Sequence, residues 1–168
     1  LPDEKHRGGA DPLVGVVPMK LLPGVVPIHP EDYPRVIEVW EASVRATHHF
    51  VSEADIEIFR PMVRDGLPKA SALFCVRSED HQVAGYMSVA DGNVDMLFVH
   101  PDWRGQGIGR RLISYAVNEL GATTLDVNEQ NDQAAGFYFH MGFEVVSRSE
   151  CDGTGKPYPI LHLRLKPR

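Results

Sequence analysis

The stretch Val94-Asp95-Met96-Leu97-Phe98-Val99-His100-Pro101-Asp102-Trp103-Arg104-Gly105-Gln106-Gly107-Ile108-Gly109-Arg110-Arg111 passes through three kinds of local structure without a pause. Val94 to Val99 is strand-like, and His100-Pro101 ends it. A glycine-rich turn then runs into apolar residues at helical spacing: Ile108, Leu112, Tyr115, Ala116 and Leu120. The start of a helix exposes unpaired backbone N–H groups and a partial positive charge. Glycines let that backbone approach an anion closely, so the arrangement suits a phosphate or pyrophosphate. Two familiar phosphate loops are excluded by the letters. A Walker loop needs Lys-Ser/Thr after its last glycine, where this chain has Arg110-Arg111, and the Rossmann fingerprint needs a third glycine where Arg110 stands. The plain alternative is a turn that only starts a helix. Three glycines in five residues, with Arg104, Arg110 and Arg111 around them, weigh against it.

Upstream of this segment, Val25 to Ile28 reads as a short strand and Glu31 to Ala46 as a helix, with Tyr33, Val36, Ile37, Trp40 and Val44 on one face. Thr47-His48-His49-Phe50 breaks it. Ser52 to Asp65 is a second helix, with Ser52 as N-cap and Asp55 as a capping-box partner, stopping at Gly66 and Pro68. Ala72 to Arg77, Val83 to Ala90 and Val94 to Val99 are strands joined by short turns, which predicts antiparallel pairing. Downstream, Gly121 follows the helix as a C′ residue, Thr123 to Asn128 is a strand, Asn131 to Met141 a short helix closed by Gly142, and Glu144 to Ser149 and Ile160 to Leu165 two last strands. The order predicts mixed α/β structure built on one sheet.

A chain of 168 residues, 43% hydrophobic and 24% charged, fits one soluble domain with a proper core. Its formal net charge of −6 makes it a poor phosphate-backbone binder and an attractive one for a cationic partner such as a protonated amine, so nucleic acid is not expected as a partner. The two cysteines, Cys75 and Cys151, match no metal spacing and read as reduced thiols of a cytoplasmic protein. No metal site is expected, since His48-His49 are adjacent and diverge. No apolar run reaches membrane-span length. Residues 1–18 lack periodicity and read as an extension ahead of a domain spanning 19–168.

The turn Arg104-x-x-Gly107-x-Gly109 resembles the Gln/Arg-x-x-Gly-x-Gly/Ala signature of the GNAT acetyltransferases. Asn128-Glu129-Gln130-Asn131 followed by Gly136-Phe137-Tyr138 and Gly142-Phe143 resembles that family's second motif. The likeness runs from about Ala72 to Leu165. Thr47-His48-x-Phe50, the Asn128 to Asn131 run and Gly155-Lys-Pro-Tyr-Pro159 make it most similar to the bacterial YjaB-like subgroup. The resemblance implies the GNAT fold: a single mixed, mostly antiparallel sheet of about six to seven strands, flanked by about four helices, in which two central strands splay apart to admit the cofactor.

It also implies acetyl transfer from acetyl-CoA to a primary amine, on a small molecule or a protein, by direct attack in a ternary complex. Backbone amides of Arg104, Gly105, Gln106, Gly107, Ile108, Gly109 and Arg110 would hold the pyrophosphate. Leu97, Phe98 and Val99 would pair with the pantetheine arm, as a peptide-like ligand adds to a sheet edge, and Asn131 would bond the same arm. Tyr138 matches the tyrosine beside the sulfur, suited to protonate the leaving thiolate. For the base, His48 and Asp95 rank above Glu129. His48 has an ordinary pKa near working pH, and Asp95 shares a face with Leu97 and Val99 by strand alternation. Many members of the family dimerise, which sets a homodimer as a prior. Two other readings stay open: an acyl-CoA-binding sensor without turnover, and a toxin acting on aminoacyl-tRNA, which the acidic balance disfavours.

Overall fold

The computed structural model describes residues 19–168, so the expected extension at 1–18 lies outside the described residues. The element order is β1 (Val26–Pro27), α1 (Tyr33–Thr47), α2 (Glu53–Gly66), β2 (Ala72–Arg77), β3 (Val83–Ala90), β4 (Asn93–Val99), α3 (Ile108–Asn118), β5 (Thr124–Asn128), α4 (Asp132–His140), β6 (Phe143–Ser149) and β7 (Ile160–Leu165), with 3-10 turns at Pro30–Asp32, Leu67–Lys69 and Pro101–Trp103. One seven-stranded sheet has the order β1-β2-β3-β4-β5-β7-β6. Every neighbouring pair is antiparallel except β4 and β5, which are parallel. The predicted elements are all present, with ends moved by a residue or two.

Helices cover both faces of the sheet. Val36, Val39, Trp40 and Val44 of α1 and Ile56 of α2 bury against Cys75, Val83 and Tyr86 on one side. Ile108, Leu112, Ile113 and Ala116 of α3 bury against Val76, Ala84, Met87, Val94 and Leu125 on the other, where Tyr138 of α4 and Phe143 join them. β3 contributes to both cores, which is why Val83 to Val89 reads as an unbroken buried run without polar alternation. Each fully buried aliphatic side chain here contributes about 1.5–3 kcal/mol of transfer energy.

Three local features place the site. Gly85 of β3 lies beneath the start of α3, where a Cβ would stand 2.6 Å from Ile108 Cγ2 and 3.2 Å from the Phe98 carbonyl oxygen. Its lack of a side chain lets the helix and the preceding turn press onto the sheet. β4 and β5 pair only at Asn93/Thr124 and Val94/Leu125. β5 then runs along β7 for its whole length, so β4 leaves Asp95 to Val99 without a partner on that side. Finally, β4 carries a bulge: Met96 faces Ser88 and Val94 faces Val89, with Asp95 as the extra residue.

The bulge corrects the expected alternation. Asp95 does not share a face with Leu97 and Val99. Leu97 and Val99 pack on the α3 side, whereas Met96 and Phe98 pack on the α1 side, and Asp95 lines the same cavity as Met96 and Phe98. The capping box at α2 is also only half formed. Ser52 Oγ accepts the Asp55 N–H at 3.1 Å, but the Asp55 carboxylate turns to Tyr158 and Lys156 instead of back to Ser52.

Candidate active site

Beside the free edge of β4, past the point where it parts from β5, a cavity of about 430 Å³ opens toward α4. Its floor is the free edge of β4, with Leu97, Phe98 and Val99 in the wall, and one end is the turn Arg104, Gly105, Gly107, Ile108 and Gly109 with Arg110 beyond. The turn is held by a 3-10 turn whose cap is His100, with Nδ1 accepting the Asp102 N–H at 3.1 Å. Gly105 and Gly107 adopt φ of 74° and 79°, the left-handed region open to glycine, and nothing lies within 4 Å of where their Cβ atoms would be. Both positions therefore border open space. The Ile108 side chain is buried, and as the first residue of α3 its N–H has no carbonyl partner within the helix.

The opposite wall is α4. Asn131 caps that helix, its Oδ1 accepting the Ala134 N–H at 3.3 Å, which leaves the amide NH2 free to donate into the cavity. Tyr138 is nearly buried, packed against Phe137 and Phe143, and burial pushes its phenol above the ordinary range. It is a proton donor at neutral pH. The cavity thus gathers every predicted cofactor residue except Gln106, which is exposed in the turn, together with Tyr138 and His48.

A second cavity, of about 640 Å³, lies on the α1 side of the sheet. His48 and Phe98 line both cavities and form the wall between them. Thr47 Oγ1 sits 2.7 Å from the Ser43 carbonyl oxygen and 2.7 Å from His48 Nδ1. Its one proton goes to Ser43, so it accepts from His48 Nδ1–H, which leaves the imidazole lone pair on Nε2. Burial, with the Arg104 charge adding to it and Asn128 opposing, brings the His48 pKa down to about 4. His48 is therefore a neutral, weakly basic imidazole.

Asp95 is exposed, accepts from Asn93 Nδ2 at 2.7 Å, and lines only the second cavity. Glu129 lines neither cavity and is engaged by Arg148 through two bonds of 2.8 Å. Arg111 points away from the turn and donates to the carbonyls of Leu22 and Gly24 at 2.9 and 2.6 Å, tying down the start of the domain.

No site role is expected from the sequence for Trp103, Gln133 and Phe137 in the first cavity, or for Trp40, Phe59, Met62 and Asp152 in the second. Phe137 carried a signal: it lies four residues after Gln133 and beside Tyr138, on the face of α4 turned to the turn, and a Cβ on Gly109 would meet its ring at 3.3 Å. Across the second cavity, Tyr158 closes one end. Its hydroxyl donates to the Asp55 carboxylate, whose other oxygen holds Lys156 Nζ at 2.9 Å. Its ring meets Phe50 at 6.1 Å and Phe59 at 6.4 Å.

The family model described as an acetyltransferase (GNAT) domain matches residues 70–145, from the start of β2 into β6. The peptidyl-lysine N-acetyltransferase YjaB of Salmonella typhimurium is 45% identical over 133 residues, which is 79% of this chain and 91% of that protein. The chain belongs to the GNAT family. The family's reaction, acetyl transfer from acetyl-CoA to an amine, is what this enzyme catalyses. The solution structure of apo-form YjaB from Escherichia coli superposes with a TM-score of 0.80 at 39% identity, covering 86% of this chain and 98% of that one. A Thermoplasma acidophilum PaiA N-acetyltransferase, solved in complex with coenzyme A, shares the fold at a TM-score of 0.64 and 18% identity, covering 85% of this chain and 98% of that one. Cys75 is a buried free thiol and Cys151 an exposed one. Among the described residues, no helix is long and apolar enough to cross a membrane.

Proposed function

We propose that this GNAT enzyme binds acetyl-CoA in the cavity between the free edge of β4 and α4 and acetylates lysine side chains of proteins presented through the second cavity. The observation that carries this is the shared wall: among the described residues, His48 and Phe98 alone line both cavities, one ending at the glycine-rich turn and the other walled by side chains of α1 and α2. The Salmonella typhimurium relative named above is by name a peptidyl-lysine N-acetyltransferase, which supports the acceptor class.

When bound, acetyl-CoA supplies an activated acetyl thioester. The amides of Arg104 to Arg110 cradle the pyrophosphate. The free edge of β4 at Leu97, Phe98 and Val99 pairs with the amide-bearing arm, and one of its N–H groups polarises the carbonyl. Asn131 donates to the same arm through its free NH2. Asp95 draws the acceptor's ammonium to the cavity mouth. The ammonium gives one proton to water at the cavity mouth; His48 Nε2 then accepts a hydrogen bond from the neutral amine, or from a water beside it, orienting the amine lone pair for direct attack in a ternary complex, and the second amine proton passes to that water as the amide forms. Tyr138 delivers its proton to the departing sulfur. The two free thiols and the dependence on acetyl-CoA favour the cytoplasm as the place of action.

The test is incubation of the full chain with acetyl-CoA and a lysine-containing peptide blocked at its N-terminus, with acetyl-lysine read by mass spectrometry. Acetylation at the lysine supports the reading. Tight acetyl-CoA binding with no transfer to any amine would replace it with the sensor reading.

A further inference from the structure

β5, β7 and β6 lie side by side at one end of the sheet. Leu125 and Val127 of β5 and Leu163 of β7 bury toward α3 and α4, so Asp126 and His162, which alternate with them, stand on the opposite face. The two are paired in register, and Asp126 Oδ1 lies 2.5 Å from His162 Nδ1. Ser149 of β6 completes the row, with its Oγ 2.7 Å from His162 Nε2. An ionised carboxylate only accepts, so Nδ1 carries the imidazole proton and Nε2 the lone pair. The Ser149 hydroxyl therefore donates to Nε2, which is its one hydrogen-bond partner among the described residues.

A single cross-strand polar pair is enough to stabilise a sheet face. Here three groups are chained in one order, carboxylate to Nδ1 and hydroxyl to Nε2. That order turns a serine into a nucleophile: the imidazole takes the hydroxyl proton, and the carboxylate stabilises the imidazolium that forms. None of the three residues lines the cofactor or acceptor cavity. The row begins where the acceptor cavity ends, since Asn128 and Ile160, two residues along β5 and β7, belong to that cavity's wall. Asp126 and His162 keep 46% and 34% of their side-chain surface exposed, and Ser149 is half-buried, so a small molecule reaches the hydroxyl from solvent. A site on an open face grips its substrate weakly, which suits acyl donors that are already activated.

We propose that Ser149, His162 and Asp126 form a second, serine-based site that hydrolyses small activated esters through an acyl-serine intermediate. Ser149 Oγ forms a bond to the acyl carbon as its proton passes to His162 Nε2. The ester carbon–oxygen bond breaks with its electron pair on the leaving oxygen, which takes that proton. Water then attacks the acyl-serine, giving a proton to Nε2 that moves on to Ser149 Oγ as the serine ester bond breaks. The products are an alcohol or phenol and a carboxylic acid, with no change of oxidation state. Asp126 acts as a positioning residue through His162.

The experiment treats the full chain, carrying Cys151→Ala to remove the exposed thiol two residues from Ser149, with p-nitrophenyl acetate. Nitrophenol release is followed, and acid-quenched protein is mapped by peptide mass spectrometry. An acetyl group on Ser149 is expected. Ser149→Ala should bring release down to the uncatalysed background, and His162→Gln should lower it by about 100-fold. Asp126→Asn should lower kcat by about tenfold, the scale of a charged hydrogen bond, at unchanged KM, which a merely structural role would not do. Acetyl-CoA affinity should be the same in all three variants, as the check on folding. Acetyl groups found only on lysines, or undiminished release by Ser149→Ala, overturn the inference and leave the proposed function standing. Acetyl-Ser149 in a chain that fails to bind acetyl-CoA supports the inference and overturns the proposed function.

Discussion

The two cavities that meet at His48 and Phe98 are made in different ways. The cofactor cavity has one side built on a single continuous run, the free edge of β4, the left-handed glycines of the turn and the N-terminus of α3, all within Leu97 to Arg110, closed by α4 and the end of α1. The acceptor cavity is side chain, assembled from α1, α2, β3, β4, β5 and the segment before β7. A surface made of backbone needs particular conformations in a fixed order, and that order shows in one continuous run of letters. A surface made of scattered side chains leaves no local trace, because residues more than a hundred positions apart, such as Asp55 and Tyr158, meet only once the sheet has formed.

If this contrast is right, the largest effect of a single change falls on the turn. Gly107→Val places a β-branched side chain at φ 79°, where only glycine is comfortable. The new Cβ meets nothing in the protein, so the chain should still fold while acetyl-CoA affinity falls by on the order of 100-fold, about 2.7 kcal/mol, in a calorimetric titration. A variant that unfolds before it loses affinity would make the turn structural. Tyr138→Phe should lower kcat by about 100-fold and leave acetyl-CoA affinity nearly intact, as expected for a contact made in the transition state; full-speed turnover would return Tyr138 to core packing. On the other side, Asp55→Ala removes the acceptor of the Tyr158 hydroxyl and the partner of Lys156. It should raise KM for the acceptor roughly fivefold to tenfold, the scale of a lost hydrogen bond, with cofactor affinity unchanged. Equal loss on both sides would erase the distinction between the cavities.

The last effect concerns pH. The His48 pKa drops from 6.5 to about 4 on folding, so between those values the unfolded chain binds the extra proton. The stability that His48 contributes is fully present above pH 6.5 and is lost as pH falls through about 4. Chemical denaturation of His48→Gln across this range should show a flatter acid limb than the parent. An unchanged limb would mean that His48 is already solvated.

The sequence was most readable where secondary structure and chemistry share one segment. Val94 to Arg111 announced strand, turn and helix, and the cofactor cavity formed around it. Ranking His48 as a base from its ordinary pKa missed the burial beside Thr47 and Phe98 that makes it a weak one. Strand alternation put Asp95 on the wrong face because a one-residue bulge carries no clear letter code. Ser52 and Asp55 have the right spacing for a capping box, and the spacing cannot reveal that Tyr158 and Lys156, arriving from the other end of the chain, compete for the same carboxylate.

The most direct measurement is amide chemical-shift mapping of the labelled chain during titration with acetyl-CoA. The account predicts that the largest changes cluster at Leu97 to Val99, Arg104 to Arg110, Asn131 and Tyr138, with Lys69, Asp152 and Thr154 of the acceptor cavity little affected. Saturable binding whose changes fall outside the turn and the β4 edge, or no binding at all, would contradict it.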